Sequence, residues 1–242
     1  MFVISESDIG LQRTNNEDCA FAKSISDVES FAVVCDGMGG ASGGQIASRM
    51  ACDRISQKIS LCYKESMPLM SITNMLLSAI TTANVEIYDY ACQNSDLKGM
   101  GTTVVCAFVK GDEVCIGHVG DSRAYIISKS GIRQLTKDHS LVQEMYDNGQ
   151  ISIDELKSHP GKNVITRALG VEEGIDIDFN SGVIHEDEAI LLCSDGLTNY
   201  VETDEIYEAF NNQNKESLAS FLINKANEHG GGDNITVALI YR

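Results

Sequence analysis

With 242 residues, 43% of them hydrophobic, the chain is long enough to bury a substantial core. A formal net charge of -17 argues against general affinity for nucleic acid or an anionic membrane, because both are bound through basic surface. The opening MFVISESD lacks a basic or long apolar start, and no run approaches the ~18 apolar residues that span a bilayer, so a cytoplasmic protein without membrane contact is expected.

Prolines occur only at 68 and 160, and no Gly/Ser-rich or single-sign charge run divides the chain, which predicts one domain over residues 1–242. The eight cysteines form no C-x-x-C pair, and Cys35, Cys106, Cys115 and Cys193 lie in apolar runs, so reduced core thiols are expected. No cysteine has an arginine six positions later, which removes a thiolate-and-arginine phosphate loop.

In chain order, residues 2–9 and 18–22 read as paired strands joined by a polar segment that contains Arg13, Asn16 and Glu17. By itself Arg13 reads as a solvated arginine, although a guanidinium beside carboxylates and a cation is suited to gripping phosphate through two parallel hydrogen bonds. Phe31, Ala32, Val33, Val34 and Cys35 form a short buried strand that runs into Asp36-Gly37. Helices are predicted after Gly44, with a stripe at Ile46, Met50, Ile55, Ile59 and Cys62, and after Pro68, with Ile72, Leu76, Ile80 and Ile87 at helical spacing. Strands follow at 104–109, 114–119 and 124–128, with Asp121 between the last two and a hairpin turn at Lys110-Gly111-Asp112. His118, set among strand residues, reads as a packed histidine rather than a catalytic one.

Residues 136–170 are polar, with short helices at 141–146 and 153–157, and read as a surface excursion. Strands return at 175–184 and 189–193, then helices at 204–210 and 216–228, then a last strand at 235–240. Eight or more strands joined mostly as hairpins, with helices gathered in pairs, predict an α+β antiparallel sandwich covered by helices on both sides.

An isolated Asp-Gly at a strand end is most simply a hairpin turn. Here Asp36-Gly37 and Asp195-Gly196 repeat the arrangement, and Asp18, Asp121 and Asp233 stand in similar places. If these acids converge, they raise each other's pKa unless cations intervene, and an all-oxygen set selects Mg²⁺ or Mn²⁺ over zinc.

The set Arg13-x-x-Asn16-Glu17-Asp18, Asp36-Gly37-Met38-Gly39-Gly40, Gly101-Thr102-Thr103, Gly117-His118-Val119-Gly120-Asp121-Ser122-Arg123, Ile165-Thr166-Arg167-Ala168-Leu169-Gly170, Ser194-Asp195-Gly196 and Gly232-Asp233-Asn234-Ile235-Thr236 resembles the metal-dependent protein phosphatases, type 2C, in their compact bacterial branch. The resemblance spans nearly the whole chain. It implies a four-layer α-β-β-α sandwich with a two-metal site at one end. Asp36 would bridge both ions, the Gly37 carbonyl would bind one, and Asp195 and Asp233 the other. Glu17 and Asp18 would act mainly through bound water, Asp121 would join a third ion, and Arg13 would hold phosphate. Residues 137–163 resemble the flap, in which His139, Ser140 and Asn163 become candidates for substrate contact. Met38 stands where many eukaryotic members carry a histidine proposed as general acid, so the resemblance supplies no proton donor at that position.

The implied activity is hydrolysis of phosphoserine and phosphothreonine in phosphorylated proteins by a monomeric enzyme opposing a serine/threonine kinase. Two Mg²⁺ or Mn²⁺ ions bound side by side would lower the pKa of a bridging water towards neutrality and aim it at phosphorus. A silent binding domain of the same fold is disfavoured, since every expected acid is present. A nucleotide hydrolase is not supported, as no G-x-x-x-x-G-K-[ST] loop occurs.

Overall fold

The computed structural model describes residues 1–40 and 42–242, with Lys157 described by its backbone alone. Strands β1 (Phe2–Asp8), β2 (Asp18–Ser26) and β3 (Glu29–Met38) lead to helices α1 (Gly43–Cys62) and α2 (Leu69–Gln93). Next come β4 (Gly101–Thr102), β5 (Val104–Lys110), β6 (Glu113–Val119), β7 (Arg123–Ser128) and β8 (Gly131–Gln134). Short helices α3 (Leu141–Asp147) and α4 (Ile153–Ser158) precede β9 (Asp178–Val183) and β10 (Ala189–Cys193). The chain closes with α5 (Asp195–Thr198), α6 (Thr203–Asn212), α7 (Leu218–Glu228) and β11 (Ile235–Tyr241).

Strands that are apolar on both faces need cover on both sides, and the alternation of side chains shows how it is supplied. In β3, Phe31, Val33 and Cys35 pack under α1 and α2, whereas Ala32 and Val34 face the other sheet. In β10, Leu191 and Cys193 pack under the C-terminal helices, whereas Ile190 and Leu192 face back across the sandwich. The result is the expected four-layer arrangement: an antiparallel sheet in the order β1-β11-β10-β7-β8 against a second in the order β2-β3-β5-β6-β9, where β4 also pairs with β3. Fully buried Ile55, Ile59, Ile72 and Ile80 fasten the helical layer, each worth about 1.5–3 kcal/mol of burial.

Three expectations need correction, and one alternative set aside above is removed. The first two strands do not pair with each other: β1 pairs with β11 and β2 with β3, so residues 9–17 carry the chain from one sheet to the other. Asn234 makes that crossing possible by donating to the carbonyls of Ile9 and Asn15 (both 2.9 Å) and accepting from the Glu17 N–H (2.7 Å). The strand expected at 175–184 shortens to Asp178–Val183, because buried Asn84 donates to the carbonyls of Glu172 and Glu173 and holds the preceding chain as a loop. The buried face of α1 runs through Ala47, Ala51, Cys52, Ile55 and Ile59, and small residues there let the helix lie close to the sheet; Ile46, Met50 and Cys62 border it. Asp195-Gly196 opens a helix, while Asp36-Gly37 remains inside a strand, so neither is a hairpin turn.

Candidate metal centre

The antiparallel register of β2 and β3 places Asp18 directly opposite Asp36. Asp36 follows Ala32 and Val34 on the face turned towards the other sheet, as Asp18 precedes Ala20 and Ala22 there, so both carboxylates point into the end of the sandwich. The backbone of Asp36 is pinned where the neighbour of β3 changes from β5 to β4. Its N–H donates to Thr103 Oγ1 (3.0 Å), and its carbonyl accepts from the Thr103 N–H (2.8 Å) and Thr102 Oγ1 (2.9 Å). From the facing sheet, β10 delivers Asp195 at its exit and β11 delivers Asp233 at its entrance. Asp121 lies in the turn between β6 and β7, where the chain crosses between sheets.

These elements enclose a pocket of about 320 Å³, whose lining includes Arg13, Asp36, Asp121, Asp195 and Asp233. Glu17, Gly37 and Asn163 line it as well. Arg13 stands at the rim, its side chain 49% exposed, with Nη2 2.8 Å from Asp233 Oδ2. Burial works against its charge, but Asp233, Glu17 and Asp36 hold its pKa above the usual arginine value. Asp18 Oδ2 accepts from Ser194 Oγ (2.7 Å), and Asn199 Nδ2 donates to Asp195 Oδ2 (2.9 Å).

The electrostatics follow from this crowding. Burial, then Asp195 and Asp233, push Asp18 up to about 7 against the hydrogen bonds from Thr236 and Ser194. Burial and Asp195 push Asp121 to about 7. Burial and the neighbouring acids raise Asp36 well above the carboxylate range, and burial with Asp233 raises Asp195. Glu17 is raised by its own desolvation. Asp18 Oδ1 is buried with no hydrogen-bond partner among the described residues. An orphaned buried oxygen and several mutually repelling carboxylates, met in the described pocket lining by Arg13 and from outside it by an Arg123 already paired with Asp138, are what a divalent cation with oxygen ligands satisfies, so the donor set fits Mg²⁺ or Mn²⁺.

His139 and Ser140 depart from their expected place at the substrate. Both are buried at the root of the flap, 6% and 2% exposed, and neither lines the pocket. Ser140 caps α3 by accepting from the Gln143 N–H, and His139 is tied to Gly120, so their side chains are committed to structure. His118 is likewise buried and outside the pocket lining, with Nε2 2.8 Å from the Lys137 carbonyl. Sequence reasoning did not single out Thr103, Ser194, Asn199 or Asn234 as site residues. Ser194 and Asn234 each adjoin an acid at a strand end, and that adjacency was the available signal.

A family model described as protein phosphatase 2C matches residues 11–227. The chain belongs to the protein phosphatase 2C family. Among curated relatives, the serine/threonine phosphatase stp of Listeria monocytogenes is 41% identical over 240 residues, covering 98% of this chain and 94% of the relative. Among solved structures, the serine/threonine phosphatase Stp1 from Staphylococcus aureus is 34% identical with a TM-score of 0.93, covering 99% of this chain and 94% of that one. The catalytic domain of the serine threonine protein phosphatase PstP, described in complex with 2 manganese ions, is 30% identical with a TM-score of 0.86 and covers 98% and 96%.

In this phosphatase 2C chain the acids are held by close backbone packing as well as by hydrogen bonds. A Cβ added at Gly196, next to Asp195, would overlap the Asn234 carbonyl oxygen, a backbone atom that cannot swing away. Gly196→Ala is therefore expected to cost about 2 kcal/mol or more, roughly 5 °C in melting temperature for a chain of this size. A thermal scan checks this, and an unchanged melting temperature would show that the contact relaxes without cost.

Proposed function

We propose that the protein hydrolyses phosphoserine and phosphothreonine in phosphorylated proteins, by direct attack of a water held between two divalent ions. The observation that carries this reading is the gathering of Asp36, Asp121, Asp195 and Asp233, from both sheets, around one pocket with an arginine at its rim. Asp36, Asp195, Asp233 and the Gly37 carbonyl would hold the ions, with Asp18 and Glu17 acting through water. When bound, such ions supply a deprotonated water at neutral pH and offset charge on the phosphoryl group.

The chain's own residues supply binding and alignment. Arg13 uses one side of its guanidinium on Asp233, which leaves N–H groups to receive a phosphoryl oxygen through charge-assisted hydrogen bonds. Thr103 fixes the Asp36 backbone and also bonds Ser122 Oγ (2.7 Å), so its hydroxyl is committed rather than free to attack. Neither cysteine nor histidine occurs among the described residues that line the pocket, which supports water as the nucleophile. On this reading the partners are phosphorylated proteins and the kinase that modifies them, and residues 1–242 act as one cytoplasmic catalytic domain. No described helix is long and apolar enough to cross a membrane.

Release of phosphate from phosphothreonine, phosphoserine and phosphotyrosine peptides, with Mn²⁺, Mg²⁺ or chelator, tests the proposal. Turnover of the first two with either ion and none with chelator is expected; activity indifferent to chelation would overturn it. Arg13→Ala is expected to raise KM by on the order of tenfold, the scale of one charge-assisted contact. An unchanged KM would return Arg13 to the role of a surface residue.

A further inference from the structure

His139 is wired to both the acid pocket and the flap. Its N–H donates to the Gly120 carbonyl (2.9 Å), and its own carbonyl accepts from the Thr166 N–H (2.9 Å). Its ring Nδ1 accepts from the Gly120 N–H (3.1 Å). A backbone N–H can only donate, so Nδ1 carries the lone pair and, in the neutral ring, Nε2 carries the proton. Nε2 lies 3.3 Å from Asp178 Oδ2, and Arg167 Nη1 reaches Asp178 Oδ1 at 3.1 Å. Arg167 Nη1 is also 3.3 Å from His139 Nε2, so these two donors converge on Asp178. His118, His139 and Asp178 together have the composition of a metal site, but the bound Nδ1 and the adjacent guanidinium make the cluster a hydrogen-bonded brace instead.

The brace acts on the residue before Asp121. Gly120 has φ of +103° and lies against Thr103, whose hydroxyl also bonds the Asp36 N–H and Ser122. The Asp121 turn is thus held by Thr103 on one side and by His139 on the other. At the same point the two ends of the flap meet, through the bridge between Ser140 and Ile165 and the Leu141 N–H to Val164 carbonyl bond (2.8 Å).

We propose that His139 is a positioning residue that sets the Asp121 carboxylate through Gly120 and couples it to the root of the flap. The proposal rests on the reading of Asp121 as an ion-binding residue. Asparagine and glutamine separate the two ends of the imidazole, since Asn presents an acceptor near the place of Nδ1 and Gln a donor near the place of Nε2. His139→Asn should retain Mn²⁺ binding, measured directly by titration calorimetry, and slow hydrogen exchange at the Gly120 amide of the metal-free protein. His139→Gln should lose on the order of tenfold in Mn²⁺ affinity, the scale of a lost outer hydrogen bond to a metal site, and exchange the Gly120 amide faster. In an Asp121→Asn background the Gln substitution should cause no further loss of binding, as shared action requires.

Equal behaviour of the two variants, the reverse order, or a loss that persists beside Asp121→Asn would overturn the coupling. If Asp121→Asn alone leaves Mn²⁺ binding unchanged, the ion-binding reading fails, while Gly120 exchange still reports on the brace. Nitrogen NMR of the wild-type ring needs no variant to fold. A proton on Nδ1 of His139 would refute the proposal, and a proton on Nε2 alone is expected.

Discussion

Asp36→Asn is expected to lower kcat on a phosphothreonine peptide by on the order of a thousandfold, about 4 kcal/mol of transition-state stabilisation. The backbone at this position is fixed by Thr102 and Thr103, and asparagine is nearly isosteric, so the sheet should keep its register. What the substitution removes is one negative charge at the centre of the acid cluster, in the carboxylate proposed to touch both ions. Because burial and the neighbouring acids push Asp36 upward, the metal-free variant should melt no lower than the metal-free wild type. Loss of activity together with an undiminished melting temperature therefore assigns the effect to chemistry. Retention of activity within tenfold at saturating Mn²⁺ would mean that Asp36 is not the shared ligand.

Chelation of divalent ions should destabilise the protein at pH 8 and much less at pH 5. Asp18 and Asp121 are raised from 3.8 to about 7 in the folded, metal-free chain. A raised folded-state pKa opposes folding by nothing below about pH 3.8, increasingly above it, and fully once pH exceeds about 7. Metal-free stability therefore falls as pH rises from 5 to 8. Ions that bind the ionised carboxylates of the folded state alone reverse this, by about 2.7 kcal/mol at a hundredfold excess over Kd. That corresponds to roughly 5–10 °C in melting temperature. Thermal scans with Mn²⁺ and with chelator at both pH values check the prediction. Equal melting temperatures at pH 8 would show that the carboxylates need no cation.

The apolar runs at residues 31–35, 104–109, 189–193 and 235–240 determined their own strands, because a run too short for a helix and covered on both faces has few other ways to satisfy its backbone. The Asp, Gly and Asn residues that interrupt those runs marked the end of the sandwich where chemistry belongs, and the jointly specific motifs pointed to the family before any geometry was known. Periodicity along one chain is silent about which strand lies beside which, so only the folded chain decided that β1 pairs with β11 and that Asp18 stands opposite Asp36. It was also silent about direction. His139 and Ser140 look in sequence like flap residues available to substrate, but their hydrogen bonds to Gly120 and Gln143 turn them inward. Thr103, Ser194 and Asn234 stood in the motifs, but what each one holds was decided only when partners far away in sequence came within hydrogen-bonding distance. Local pattern fixes what a segment can bury; long-range pairing fixes what each polar side chain is left to do.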